Sequence, residues 1–151
     1  MKKSICIFNL IISIILLSAC SGKYYAVDDF IKIKKIDTHT HLDTKNTTIT
    51  EQAKADNFRL ITINVDVAGS ASLNEQFQVA SFLHQKYPDI VNFISSFTLE
   101  GWDSVNWADK TIAKLKADFA NGAIGVKVWK NIGMTYKDSA GIFIMIDDPK
   151  F

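Results

Sequence analysis

Three side chains at alternate positions, Asp37, His39 and His41, offer the plainest chemistry in this chain. They lie in Ile36-Asp37-Thr38-His39-Thr40-His41, just after a run that alternates apolar and basic residues over 30–35. That alternation predicts a strand over 31–41. Residues two apart in a strand share a face and lie roughly 7 Å apart. Asp37, His39 and His41 are therefore expected to point one way, and Ile36, Thr38 and Thr40 the other. Two imidazoles at a strand end can reach one divalent ion, and a carboxylate one step back can ligate it or hold a ligand in place. The plainer alternative is a pair of surface histidines. Polar groups gathered on one strand face cost burial energy unless they are paired, which favours the site.

The remaining chain supplies elements able to hold such a strand. Residues 50–56 read as a short helix and 58–67 as a second strand, with Ile61, Ile63, Val65 and Val67 on one face and Thr62, Asn64 and Asp66 on the other. Ser72-Leu73-Asn74-Glu75 is a capping box. It opens a helix whose Phe77, Ala80, Phe82, Leu83 and Tyr87 recur near the helical period, until Pro88-Asp89 stops it. Residues 90–99 read as strand three, with Ser96, Thr98 and Glu100 on one face. A third helix is expected over 107–120, with Ala108, Ile112, Leu115 and Phe119 as its apolar stripe and Lys110, Lys114, Lys116 and Asp118 on its wet side. Asn121-Gly122 ends it. Strand four follows over 123–129, with Lys127 on the face opposite Val126 and Val128. A hairpin-like loop over 133–141, an apolar segment at 142–146 and a helix start at Asp148-Pro149 complete the chain.

The order β-α-β-α-β-α-β implies right-handed crossovers and a parallel sheet. In a β/α barrel the outer strand face packs on helices, and polar groups collect at the carboxyl end of the inner face. Asp37, His39, His41, Asn64, Asp66, Thr98, Glu100 and Lys127 all fall late in their strands. The alternative is an open doubly wound sheet, which also binds ligands at the carboxyl ends. No glycine-rich phosphate loop follows strand one; His39-Thr40-His41-Leu42 stands there instead.

Composition narrows the class. The chain has 151 residues, 48% hydrophobic and 22% charged, enough for a real core and no disordered segment. The net charge of +1 includes Lys2 and Lys3 of the leader, so the remainder is near neutral and offers no nucleic-acid surface. Met1-Lys2-Lys3 and the apolar run 5–17 read as an export signal, too short to span a bilayer comfortably. Leu17-Ser18-Ala19-Cys20 resembles the bacterial lipobox. The resemblance implies a signal peptide over 1–19, lipid attachment at Cys20, a tether over 20–30 and a location in the cell envelope, facing the periplasm or the exterior. Several acyl chains at about 0.8 kcal/mol per buried methylene would hold such an anchor firmly. Cys6 lies in the leader, so the mature chain would have no disulfide.

Asp37-Thr38-His39-Thr40-His41 behind such a leader resembles the metal-dependent amidohydrolase superfamily. The segment 122–134, Gly-Ala-Ile-Gly-Val-Lys-Val-Trp-Lys-Asn-Ile-Gly-Met, is similar to the fourth-strand region of its amidohydrolase-2 (amidohydrolase-related) branch. The resemblance covers residue 33 onward. It implies that residues 31–151 are about four β/α units, the N-terminal half, of a (β/α)8 TIM barrel. It implies one or two divalent metals, zinc foremost with manganese, iron or cobalt also suited, held by His39 and His41. It further implies metal-activated water acting on a small-molecule substrate, with Asp37 and Lys127 in the catalytic machinery. Lys127 falls where some members carry a metal-bridging carboxylated lysine. It could equally pair with Asp37, Asp66 or Glu100, or bind a substrate carboxylate.

A complete barrel takes about 250 residues, and in this family further ligands and the proton-moving carboxylate come from strands five to eight. The chain is thus expected to be part of a longer enzyme, inactive alone, poorly soluble or prone to homo-oligomerise through its open edges. A lyase or decarboxylase of the same superfamily and a non-catalytic surface lipoprotein binding module are the alternatives. His84, on the second helix, is not expected to ligate. Trp102, Trp107 and Trp129 are read as core aromatics rather than pocket walls.

Overall fold

The computed structural model describes residues 24–151. The expected signal peptide, Cys6 and Cys20 lie outside the described residues. The chain divides into two units, Met1–Phe30 and Ile31–Phe151. Among the described residues of the first, a 3-10 turn at Val27–Asp29 is closed by the Asp29 carboxylate, which accepts the Ala26 N–H at 3.0 Å.

The second unit runs β1 (Lys35–Thr40), α1 (Thr48–Ala55), β2 (Phe58–Ile63), α2 (Leu73–Lys86), β3 (Val91–Ser95), α3 (Trp107–Ala120) and β4 (Ala123–Val126). The strands form one sheet in the order β1-β2-β3-β4, with every neighbouring pair parallel. This is an α/β fold with a four-stranded parallel sheet, and β1 and β4 are its edges.

Local chemistry sets the helix limits. Ser72 caps α2: its hydroxyl accepts the Glu75 N–H at 3.2 Å, and the Glu75 carboxylate accepts the Ser72 N–H at 2.9 Å. Those bonds satisfy two donors that a helix start leaves open. Glu75 is held below the ordinary carboxylate range, first by the Ser72 hydroxyl and then by the Ser72 backbone. At the end of α3, Gly122 has φ +100°, and a Cβ there would stand 2.8 Å from the His84 ring. Only glycine satisfies both the left-handed turn and that close approach.

Register shows which face meets the helices. Residues aligned across a parallel pair point to the same side. Leu60 aligns with Val91, and both pack with Ala53 of α1 and Leu83 of α2. Thr62 aligns with Phe93, which packs with Ala80 and Phe77 of α2. Phe93 aligns in turn with Ala123 of β4. A third cluster of Phe97, Leu99, Trp102, Trp107, Ile132 and Ile144 receives Ala108 and Leu115 of α3. Trp102 and Trp107 are thus core, as expected.

Several expectations are corrected here. Residues 31–34 are a turn, not strand, because β2 begins at Phe58 and its register partner is Lys35. Asn57 meets Lys32 through its side chain, its Nδ2 donating to the Lys32 carbonyl at 3.0 Å, rather than through a backbone ladder, and a strand needs a ladder as well as alternation. β2, β3 and β4 likewise end earlier than expected, at Ile63, Ser95 and Val126.

The faces of β2 are reversed relative to the sequence reading: Leu60 and Thr62 meet the helices, and Ile61 and Ile63 take the other side. The strand is apolar on both faces, so alternation could not choose. Thr62 is tolerated in the helix-facing layer because its hydroxyl accepts the Leu42 N–H at 2.9 Å.

In α3, Asp118 is buried rather than wet, whereas Ile112 and Phe119 are about half exposed. Asp118 accepts hydrogen bonds from Ser95 Oγ and, at 2.5 Å, from Lys114 Nζ. Asp148-Pro149 begins only turns, and Asp148 accepts the Lys150 N–H at 2.9 Å. The loop over 133–141 does fold back, with an antiparallel bridge between Lys137 and Phe143.

Candidate metal site at the carboxyl end of the first strand

His39 and His41 lie at the carboxyl end of β1, both exposed. Their ring centroids are 5.4 Å apart, edge to face. The local backbone explains the pairing. Between Asp37 and Thr40, β1 advances three residues while β2 advances two, from Leu60 to Thr62. The extra residue is a bulge, a device that re-aims side chains near a strand end. Thr40, aligned with Thr62, takes the helix side, and its hydroxyl donates to the Ile61 carbonyl at 3.1 Å. The flanking histidines are thereby turned away from the helices.

The bulge separates Asp37 from them. Asp37 aligns with Leu60, on the helix-facing side, and its carboxylate accepts the His39 backbone N–H at 3.0 Å. The expectation of three polar groups on one face is thus corrected: the two imidazoles stay together and the carboxylate turns back on the chain. Asp37 acts on the site through the main chain of His39.

His41 Nδ1 lies 2.9 Å from the Ile63 carbonyl oxygen. A carbonyl only accepts, so this bond requires the proton on Nδ1. In the neutral ring, Nε2 is then left with its lone pair, which is the tautomer a metal ligand needs. A nitrogen-rich pair with one ring so oriented suits a divalent ion of the zinc class. Among the described residues, no three His, Cys, Asp or Glu side chains form a metal-holding group. The pair is therefore two donors of a set that normally has three or four.

Known protein families, characterised proteins and solved structures provide no match to this chain.

Other expected site residues are placed separately. Lys127 is half-buried just past β4, where its N–H donates to the Ser95 carbonyl at 2.7 Å and its carbonyl accepts from Ser96 Oγ at 3.0 Å. Glu100 is exposed and lines, with Thr98, Trp107, Lys110 and Lys114, a cavity of about 230 Å³ beside α3. That cavity does not include the histidines. His84 packs as a structural residue: Nδ1 meets the Val91 carbonyl at 2.7 Å and its ring lies against Phe93.

Three polar-bearing groups, Asn64, Trp129 and Tyr136, gather beyond the ends of β2 and β4. Asn64 and Trp129 are buried, and the Asn64 Nδ2 and Trp129 Nε1 lack hydrogen-bond partners. Trp129 meets Tyr136 edge to face at 5.2 Å. The Tyr136 phenol is pushed above its ordinary range by burial and, secondarily, by the charge of Asp66. Asn64 and Asp66 were singled out by strand position. Trp129 and Tyr136 owe their setting to a loop whose path no periodicity encodes.

Proposed function

We propose that this chain is the N-terminal portion of a lipid-anchored, metal-dependent hydrolase of the amidohydrolase type, acting on a small molecule. The observation that carries this reading is the histidine pair. Two exposed imidazoles stand side by side at the carboxyl end of an edge strand, and the Ile63 carbonyl fixes the tautomer of His41.

The strand order supports half of a (β/α)8 barrel as the architecture. Each strand pairs with its sequence neighbour and the order never reverses. A doubly wound sheet binds at a reversal, whereas a barrel proceeds in sequence and places its site at the carboxyl ends of the strands. Further ligands and the proton-moving carboxylate would come from β/α units beyond these four.

A divalent ion bound there would supply a Lewis acid and would lower the pKa of its water toward neutrality. Within the chain, His39 and His41 would hold the ion, and Asp37 fixes the backbone that carries His39. Lys127, just past the end of β4, would be the candidate to meet an acidic group of the substrate. The test is zinc or cobalt binding to the purified chain, with His39→Ala and His41→Ala beside it. Stoichiometric binding that both substitutions abolish supports the reading. Binding that survives the double substitution removes its basis.

A further inference from the structure

The end of the sheet opposite the histidines carries a different chemistry. Lys34, Lys35, Lys54 and Arg59 line a cavity of about 190 Å³ with a single carboxylate, Asp89, among its walls. The cavity lies where β1 and β2 begin, so these groups gather at the amino ends of the strands. Lys34, Lys54 and Arg59 are exposed. Lys35 donates to the Ile33 carbonyl at 2.8 Å and lies over the Phe58 ring, so it helps to form the wall. Ile36, which also lines the cavity, is 61% exposed, and Ile33, next to Lys34 in the chain, is 37% exposed.

We infer that this basic end of the sheet docks on an anionic phospholipid bilayer, turning the histidine pair away from the membrane. The inference rests on the lipid anchor in the reading above. Charge complementarity selects the occupant: four cations against one carboxylate, with exposed isoleucines beside them, match phosphate headgroups over an acyl boundary. Chain length permits it. Ten residues separate Cys20 from Ile31, a reach of less than about 40 Å when extended. Tyr24, Tyr25 and Phe30 within that stretch are exposed, and aromatic rings of this kind favour the membrane interface. β1 has six residues, so the site would stand about 20 Å above the docked end. The acyl chains would hold the protein to the bilayer, and the basic patch would set which end of the sheet faces it.

The test uses the full chain carrying Cys20→Ser, with vesicles of phosphatidylcholine alone or with phosphatidylglycerol added. The leader is common to every sample, so differences report the folded unit. Each basic residue near an anionic surface is worth about a fivefold change in partition. The combined variant Lys34→Gln, Lys54→Gln, Arg59→Gln is expected to lose roughly a hundredfold on the anionic vesicles. A control with Lys45→Gln, Lys116→Gln and Lys130→Gln is expected to lose far less. Should the first triple variant fail to fold, Lys34→Gln and Lys54→Gln singly are each expected to lose about fivefold. Equal losses in both triple variants, or no preference for anionic vesicles, would overturn the inference. Incorporation of a labelled fatty acid at Cys20 of the unsubstituted chain tests the anchor separately. Labelling without charge dependence sinks the docking alone; charge dependence without labelling leaves the docking standing and removes the anchor.

Discussion

His41 and His84 make the same hydrogen bond, from Nδ1 to a strand carbonyl, yet only His41 keeps its other nitrogen open. His41 meets the Ile63 carbonyl at 2.9 Å and is exposed. His84 meets the Val91 carbonyl at 2.7 Å, but its Nε2 faces Gly122, where even a Cβ would stand only 2.8 Å away. The hydrogen bond prepares a ligand tautomer in both; position decides which can use it. Zinc affinity of the chain is therefore expected to fall by at least roughly tenfold in His41→Ala or His39→Ala and to be unchanged in His84→Gln. Isothermal titration with zinc, checked by cobalt absorption, measures this. A loss with His84→Gln equal to that with His41→Ala would contradict the assignment.

The same contact makes Gly122 a stability site. Gly122→Ala must adopt a left-handed backbone, at roughly 1–2 kcal/mol, and must displace the His84 ring. The loss is expected to exceed the backbone cost alone. Adding His84→Ala should recover part of it, because the ring that the new methyl meets is gone. Denaturant melts of the two single variants and the double variant give the coupling directly. Strict additivity would show that the contact is not made.

The start of α2 is predicted to be acid-sensitive. Ser72→Ala removes the cap and should cost about 1 kcal/mol. Glu75 has its carboxyl held down by Ser72. A group depressed in the folded state contributes stability above its unfolded pKa, and that contribution is lost as pH falls through the folded one. Stability should therefore decline below the ordinary glutamate range, and Glu75→Gln should flatten that part of the profile. Urea midpoints measured from pH 7 down to pH 3 test the sign.

Much of this architecture was legible in the sequence because local signals agreed with one another. Ser72 and Glu75 marked α2, and Asn121-Gly122 marked the end of α3, whose limits at Trp107 and Ala120 match the expectation. Side-chain direction was less legible. β2 carries apolar residues on both faces, so only its neighbours decide which side meets the helices. The bulge after Asp37 is set by pairing with β2, and the alternation that joined Asp37 to the histidines could not reveal it. Asp118 reads as a solvent-facing charge until Ser95 and Lys114 are placed beside it in space.

At the other end of the pH range, Tyr136 should limit stability. Its phenol is raised, chiefly by burial against Trp129 and then by Asp66. In the unfolded chain it ionises near pH 10, and in the folded protein only above that. The folded state therefore holds its proton longer, and stability present below pH 10 is lost as pH rises toward the folded value. Tyr136→Phe should remove this contribution to the alkaline decline while keeping the ring contact with Trp129.

The last prediction concerns the polar pocket beneath α3. Ser95 is fully buried, Asp118 is 5% exposed, and Lys114 reaches both, at 3.3 Å and 2.5 Å. Ser95→Ala leaves Asp118 with the lysine alone, and a lost bond to a buried charged group costs roughly 1.5–3 kcal/mol. Lys114→Met should cost less than Asp118→Ala. The lysine is one-third exposed, so water screens part of its attraction. Removing Asp118 instead leaves the lysine charge with the Ser95 hydroxyl alone, and that hydroxyl with only the long 3.4 Å contact to the Ser96 carbonyl as acceptor. The double variant Ser95→Ala, Asp118→Leu should recover stability relative to Asp118→Ala, because an apolar pair in a buried layer leaves fewer donors open. Thermal melts of these four variants decide the matter: if Asp118→Ala is no worse than Lys114→Met, the carboxylate is not the hub of this contact.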